Sequence, residues 1–141
     1  RHSRLRGVDV PAARAPSMID EYPVLGVAAA YATGTTRMAG LSELRAKESD
    51  RLAGTADLLR GNGVELETGE DSLTVHGKGP GSIAGGAMVL THHDHRLAMS
   101  ALVLGLAAQR PVRIDDASMI ATSYPDFAED MKALGATLEP I

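Results

Sequence analysis

Residues that could bind anions or move protons gather in four short runs, each at the start of a predicted helix. The N-terminus of a helix presents unpaired N–H groups and the positive end of the helix dipole, and both attract anions. Equivalent helix starts tend to share one edge of a sheet in repeated β/α structure, so we expect the runs to line a local anion site. The runs are Asp20-Glu21, Lys47-Glu48-Ser49-Asp50-Arg51, His93-Asp94-His95-Arg96 and Ser123-Tyr124-Pro125-Asp126.

Arg51 and Arg96 are the strongest candidates for function in these runs. The dipole disfavours a cation in the first turn of a helix, at a cost of roughly a few tenths of a kcal/mol each. A planar guanidinium matches carboxylates and phosphates, and residues that break a local rule are candidates for function. The aspartates have a simpler alternative, because aspartate is a preferred N-cap residue. The candidate caps are Asp20, Asp50, Asp94 and Asp126.

Other common kinds of site find little support in the sequence. The run His92-His93-Asp94-His95 carries metal-binding side chains, but neighbouring residues point in different directions and no second ligand cluster is present. We therefore expect no metal site. The glycine-rich loops of dinucleotide-binding and P-loop proteins are absent, as is the G-x-S-x-G turn of many hydrolases.

The composition bounds the partners of the chain. A formal net charge of -4 and a pI near 5.7 argue against nucleic-acid or membrane-surface partners, which require a basic face. The absence of cysteine excludes disulfides and thiol nucleophiles and is consistent with a cytoplasmic location. The longest apolar stretch, residues 97–108, is too short to cross a bilayer.

The elements that must position the runs are predicted to be helices and short strands. Helical spacing of apolar residues predicts helices over residues 21–31, 50–59, 96–107 and 125–134, the last with a capping box of Ser123 and Asp126. Strands are predicted over residues 35–39, 64–68, 72–76, 87–90, 111–114 and 136–139. With 3% aromatic residues the core must be aliphatic. The pattern favours an α/β (α+β) fold with helices packed on mixed sheets.

The chain also shows an approximate internal repeat. Asp50, an apolar helical face and residues 63–67 are echoed by Asp126, an apolar face and residues 135–139. A glycine-rich stretch over residues 77–86 separates the copies. We predict two β/α units, roughly residues 1–80 and 81–141, although a common helix–strand pattern would look similar without duplication.

The run from Arg45 to Leu52 resembles the R-x-K-E-[ST]-D-R-[LM] signature of the EPSP synthase family of enolpyruvyl transferases. Three further blocks resemble family motifs in the same order: Asp20-Glu21-Tyr22-Pro23, Asp94-His95-Arg96-Leu97-Ala98-Met99 and Ser123-Tyr124-Pro125-Asp126-Phe127. One position departs from the pattern, because many members place a lysine where this chain has Thr122.

The resemblance implies a fold and an activity. Family members have two domains of three β/α units each, with substrates in the cleft between them. This chain resembles about two units of the C-terminal domain, and since it begins without Met we expect a fragment that lacks the N-terminal domain. The family transfers the enolpyruvyl group of phosphoenolpyruvate to the 5-hydroxyl of shikimate 3-phosphate and releases phosphate. No metal or organic cofactor is implied.

The resemblance also implies roles for individual residues. Asp20 corresponds to the aspartate that binds shikimate 3-phosphate and accepts the proton of its 5-hydroxyl. Glu48 corresponds to the glutamate that transfers a proton at the phosphoenolpyruvate methylene, while Lys47 would contact shikimate 3-phosphate. Arg51 and Arg96 would bind phosphoenolpyruvate. His95 is either a neighbour of the reacting centre or a structural histidine.

Three alternatives remain at the level of sequence. The related transferase that uses a UDP-N-acetylglucosamine acceptor normally depends on a cysteine, and its motifs differ. A non-catalytic anion-binding or assembly module would keep the charged runs without turnover. In a plain structural domain, replacing Arg51 or Arg96 would leave stability unchanged or slightly higher. Since the N-terminal domain is expected to be missing, we predict that the 141 residues alone are inactive.

Overall fold

A computed structural model describes residues 3–140, and residues 1, 2 and 141 lie outside the described part. The described residues form five α-helices, six β-strands and short 3₁₀ turns. The helices are α1 (Ala15–Met18), α2 (Tyr22–Tyr31), α3 (Arg51–Gly61), α4 (His95–Gly105) and α5 (Phe127–Ala133). The strands are β1 (Asp9–Val10), β2 (Thr33–Met38), β3 (Glu65–Thr68), β4 (Leu73–Lys78), β5 (Met88–Val89) and β6 (Arg113–Ile114).

The strands form two sheets, each of which begins with a parallel pair joined by a helix. The first sheet has the order β1-β2-β4-β3, with β1 and β2 parallel and the other pairs antiparallel. The second sheet pairs β5 with β6 in parallel. Helix α2 connects β1 to β2, and α4 connects β5 to β6. The predicted α/β fold with mixed sheets is confirmed.

Close packing brings the starts of the helices together. A Cβ atom at Gly54 of α3 would lie 2.5 Å from Leu97 Cδ1 of α4, so the two first turns approach closely and a larger residue at Gly54 would displace the Leu97 side chain. On α2, a Cβ atom at Gly26 would lie 3.2 Å from Thr55 Cγ2 of α3. The residues that begin these three helices are therefore held near one another.

The far ends of two helices are joined by a hydrogen bond. Tyr31, the last residue of α2, donates its hydroxyl to the carbonyl of Leu104 near the end of α4, at 2.5 Å. Burial raises the pKa of Tyr31 to about 12. The aliphatic core between the helices and the first sheet includes Leu52, Leu59 and Val75, all fully buried. Helices α2 and α4 are thus fixed at both ends.

Most predicted elements are confirmed, but the C-terminal region differs from expectation. The helix predicted over residues 125–134 is α5, which begins at Phe127. Its N-cap is Asp126, whose side chain makes no capping bond, so the predicted capping box is wrong. The strand predicted at residues 136–139 is also wrong. Gly135, with φ +98, ends α5 while Ala136 N–H donates to the Met131 carbonyl. This C-terminal cap turns the chain away from an extended path.

Two more differences concern the repeat and the first strand. The short strand β1 has no counterpart in the prediction. In the first copy of the predicted repeat, strand β3 follows helix α3, but in the second copy no strand follows α5 among the described residues. Among residues 3–140, no helix has the length and apolar character needed to span a membrane.

Candidate functional site

The guanidinium of Arg51 lies where three of the charged runs meet. Arg51 is the first residue of α3, and its side chain is 1% exposed. Its Nη1 donates to Asp20 Oδ1 at 3.0 Å, just before α2, and its Nε donates to Asp94 Oδ2 at 2.7 Å, just before α4. Its Nη2 lies 2.6 Å from Glu48 Oε2. One buried cation therefore connects the starts of three helices.

Asp94 is the buried counterpart of Arg51. It is 0% exposed; its Oδ2 also accepts from Ser49 Oγ at 2.8 Å, and its Oδ1 accepts from Arg96 N at 2.9 Å. Burial alone would raise the pKa of Asp94, but hydrogen bonds from Arg51, Ser49 and the Arg96 backbone, together with the Arg51 charge, lower it below its usual value. Asp94 is thus both an N-cap and an ionised partner for the arginine.

The contact between Arg51 and Glu48 is short but poorly aligned. Although Nη2 of Arg51 lies 2.6 Å from Glu48 Oε2, it makes no aligned hydrogen bond to a described residue. The Glu48 side chain is 52% exposed. A buried donor without an aligned acceptor is unfavourable, so Nη2 is the position at which Arg51 could accept a different anionic partner.

Asp20 lies between two cations. Its Oδ1 accepts from Arg51 Nη1 at 3.0 Å and lies 3.8 Å from Lys47 Nζ. Asp20 belongs to the 3₁₀ turn Ile19–Glu21, and the N-cap position of α2 is occupied by Glu21. The simple capping interpretation of Asp20 is therefore wrong.

Asp50 differs from the other two aspartates because it caps its helix at the surface. Its Oδ1 accepts from Ala53 N at 2.9 Å and its Oδ2 from Arg45 Nη1 at 2.9 Å. The capping interpretation of Asp50 is confirmed. Asp126 occupies an N-cap position but makes no capping bond with its side chain.

Arg96 is the accessible arginine of the site. Its side chain is 32% exposed, and its Nη1 donates to the Asp20 carbonyl at 3.1 Å and to Glu21 Oε1 at 3.0 Å. His95, the first residue of α4, is half-buried beside it. Lys47 is likewise partly exposed, at 28%. The site therefore has two cations that a dissolved ligand can reach and one that is buried.

An open groove of about 180 Å³ runs beside Asp20 and Arg96. Its floor is mostly apolar, and its far wall comes from the beginning of α5 and the residues before it. The groove is lined by Asp20, Glu21, Val24, Arg96, Met99, Ser100, Val103, Tyr124 and Phe127. The fourth charged run thus reaches the same region, although through aromatic side chains rather than through Asp126.

Sequence reasoning found the charged runs but missed three of the residues that hold them in place. Glu21 and Ser49 were treated only as parts of motifs, and Asp94 only as a cap. Their partners are distant in sequence: Glu21 binds Arg96, and Ser49 binds Asp94. The sequence did contain a signal for two of them, because Glu21 follows Asp20 and Ser49 follows Glu48 directly. Among the described residues, no group of three His, Asp or Glu side chains is arranged to hold a metal ion.

Comparisons with known proteins agree with one another. A model of the family described as "EPSP synthase (3-phosphoshikimate 1-carboxyvinyltransferase)" matches residues 1–131. A protein from Maricaulis maris (strain MCS10) named 3-phosphoshikimate 1-carboxyvinyltransferase is 64% identical over 141 residues, which are 100% of this chain and 32% of that protein. A protein of the same name from Rhodopseudomonas palustris (strain BisB5) is 64% identical over 138 residues, 98% of this chain and 31% of that protein.

Solved structures show the same likeness. EPSP synthase from Acinetobacter baumannii superposes with a TM-score of 0.92 at 40% identity, covering 96% of this chain and 32% of that one. The enolpyruvyl transferase NikO from Streptomyces tendae superposes with a TM-score of 0.68 at 25% identity, covering 97% of this chain and 30% of that one. The chain spans about a third of the length of the curated relatives it matches.

Proposed function

The chain belongs to the EPSP synthase family, and we propose that it supplies part of the substrate site of an enzyme that transfers the enolpyruvyl group of phosphoenolpyruvate to the 5-hydroxyl of shikimate 3-phosphate. The observation that carries the proposal is the meeting of three helix starts at Arg51, with Asp20, Glu48 and Asp94 around its guanidinium. These residues come from the motifs that resemble the family's signatures.

The cations of the site would bind the substrate anions. The two substrates carry two phosphates and two carboxylates, which require positive charge and directed donors. Arg96 and Lys47 are partly exposed, so they can meet phosphoenolpyruvate and shikimate 3-phosphate respectively. Arg51 would contribute through Nη2, by exchanging its poorly aligned contact with Glu48 for an oxygen of phosphoenolpyruvate. His95, on the first turn of α4, would lie next to that oxygen.

The two acidic residues would move the protons. As the 5-hydroxyl oxygen bonds to C2 of phosphoenolpyruvate, Asp20 takes the hydroxyl proton and Glu48 gives a proton to the methylene carbon. As the tetrahedral intermediate loses phosphate, the proton held by Asp20 passes to the departing phosphate, and a proton returns from the methyl group to Glu48. Glu48 pairs with Arg51 Nη2, so an anion that takes its place there would release Glu48 for proton transfer at the methylene carbon.

We also propose that the chain consists of two repeat units and acts in the cytoplasm together with an N-terminal domain. Two repeat units, roughly residues 1–80 and 81–141, are supported by the two similar strand–helix–strand crossovers that contain α2 and α4. The rest of the site would come from the N-terminal domain implied by the family. The cytoplasmic location expected from the cysteine-free sequence belongs to the same proposal.

Titration with shikimate 3-phosphate tests the binding role. Isothermal calorimetry on the 141-residue chain should give saturable binding that Lys47→Ala abolishes. Lys78→Ala is the matched control, because Lys78 is 67% exposed and pairs with Glu65 on the sheet. Equal, weak binding of inorganic phosphate and of shikimate 3-phosphate, unaffected by Lys47→Ala, would instead indicate a non-catalytic anion-binding module.

A phosphate-release assay tests whether the 141-residue chain can catalyse the reaction by itself. With both substrates present, the 141-residue chain should release no phosphate above a blank, because the acids and cations on one side of the proposed cleft cannot exclude water or clamp both substrates alone. Release above the blank that Glu48→Gln abolishes would contradict this expectation.

A further inference from the structure

The turn that leads into α4 has an unusual backbone conformation. His92 and His93 have φ values of 52 and 56, and Asp94 N–H donates to the Thr91 carbonyl at 2.9 Å. Two consecutive residues with positive φ inside a four-residue turn normally require Asn, Asp or Gly. Histidine has a Cβ atom that crowds the backbone in this region, so the surrounding structure must impose the conformation.

Asp115, at the end of the neighbouring strand, holds the first residue of this turn. Its Oδ1 accepts from both Thr91 N and Thr91 Oγ1, each at 2.8 Å, and its own N–H donates to the Val89 carbonyl at 3.1 Å. Asp115 is exposed, and its slight desolvation would raise its pKa, but the hydrogen bonds from Thr91 lower that pKa below its usual value. The carboxylate is therefore an ionised acceptor that ties the end of β6 to the residues just after β5.

The last residue of the turn is Asp94, whose carboxylate binds Arg51, Ser49 and the backbone N–H of Arg96. We propose that Asp115 is a positioning residue: by holding Thr91, it keeps the strained turn in place and so presents Asp94 to Arg51. Asp115 lies outside every motif by which the chain resembles its family. The connection to substrate binding rests on the proposed function, whereas the connection to Arg51 does not.

Arg51 itself reports on the inference. NMR can follow the Arg51 Nε–H proton, which is buried and donates to Asp94 at 2.7 Å. Asp115→Ala removes the one oxygen that accepts from both donors of Thr91, so the solvent exchange rate of the Arg51 Nε–H proton should rise by about tenfold, the factor expected for one lost hydrogen bond. Asp115→Asn should restore slow exchange, because its amide oxygen can still accept from Thr91.

Two further variants separate positioning from a general loss of structure. Thr91→Val removes one of the two bonds to Asp115 and should give an intermediate exchange rate, which keeps the inference testable if Asp115→Ala does not fold. Asp57→Ala is the matched control: Asp57 is 74% exposed on α3 and pairs with Arg60, so exchange at Arg51 should be unchanged.

With shikimate 3-phosphate present, the same variants can be titrated with phosphoenolpyruvate, the ligand proposed for Arg51. If the wild type binds it, Asp115→Ala should weaken binding and Asp115→Asn should not. If no variant binds it but Arg51 exchange follows the expected order, the proposed function fails and the positioning role stands. If Asp115→Ala and Thr91→Val are folded and exchange at Arg51 matches the wild type, the positioning role is overturned, whatever the binding result.

Discussion

The starts of α3 and α4 use the same two residue types in opposite ways. At α3 the capping aspartate, Asp50, has a side chain that is 42% exposed, and the arginine that follows, Arg51, is 1% exposed. At α4 the cap, Asp94, is 0% exposed, and the arginine, Arg96, is 32% exposed. The buried member of each start pairs with the buried member of the other, since Arg51 Nε donates to Asp94 Oδ2 at 2.7 Å.

In this arrangement the buried pair and the exposed charges have different roles: the former stabilises the fold, and the latter are accessible to ligands. A buried ion pair is costly to desolvate, and its main energetic property is the penalty for removing one partner. Partly exposed charges contribute little to stability but remain available to ligands. The Arg51–Asp94 pair therefore fixes the two helices relative to one another, while the Arg96 side chain, paired with Glu21, remains accessible to solvent.

Removing the buried arginine should have the largest effect. Arg51→Met leaves Asp94 buried and unpaired and leaves Asp20 without its closest cation, so the free energy of unfolding should fall by about 3–5 kcal/mol. Urea unfolding followed by circular dichroism measures this change. Arg60→Met, at the exposed end of the same helix, is the control and should shift the midpoint little. An equal effect of both variants would show that burial does not distinguish the two arginines.

Removing only the charge of Asp94 should cost less and should depend on pH. Asp94→Asn keeps an acceptor for Arg96 N but removes the buried carboxylate charge beside Arg51, which then pairs only with the partly exposed Asp20 and Glu48 among the described residues; the change should cost about 1–3 kcal/mol at pH 7. Because the folded pKa of Asp94 is below its ordinary value of 3.8, its contribution is present above pH 3.8 and is lost as the pH falls through the lowered value.

Urea unfolding at several pH values checks this expectation. Wild type and Asp94→Asn should differ most at neutral pH and converge in strong acid. A difference that stays constant from neutral pH down to strong acid would mean that the carboxylate's charge is not what stabilises the fold.

The exposed cap should matter less than the buried one. Asp50→Ala removes the acceptor of Ala53 N and the partner of Arg45, and loss of an N-cap should cost about 1 kcal/mol. Asp50→Asn should recover most of this loss, since asparagine caps equally well. The comparison of helix starts would break down if Asp50→Ala destabilised the chain as much as Asp94→Asn, which thermal and urea unfolding would both reveal.

The sequence was sufficient to place these helix starts but not to show how they differ. Helical periodicity located α2, α3 and α4, and the dipole argument singled out Arg51 and Arg96. The reciprocal burial depends on contacts between segments that are far apart in sequence, such as Arg51 with Asp94. The turn at His92 and His93 was not foreseen either, since positive φ is uncommon for any residue with a Cβ atom and two such residues in succession are rarer still.

In the C-terminal region the sequence predicted a strand, over residues 136–139, that the structure does not contain. Alternating residues after Gly135 favoured a strand, but a strand requires a neighbouring strand to pair with, and none of the described strands lies beside residues 136–139. The local glycine cap decided the conformation instead. The predicted strand failed because a distant segment had to supply its partner, whereas the capping box of Ser123 and Asp126 failed although both residues are local.

The smallest effect on stability should come from Arg96, and the same substitution should have a large effect on binding. Arg96→Ala removes an exposed ion pair with Glu21 and also removes a cation from the first turn of a helix, so stability should change by less than about 0.5 kcal/mol. Phosphoenolpyruvate binding, measured by calorimetry in the presence of shikimate 3-phosphate, should nevertheless be lost.

Arg113→Ala is the control, because Arg113 is exposed on β6, away from the groove. If Arg96→Ala binds phosphoenolpyruvate as well as the control does, then the exposed arginine is not the ligand-facing half of the arrangement, and the contrast between the two helix starts concerns folding alone.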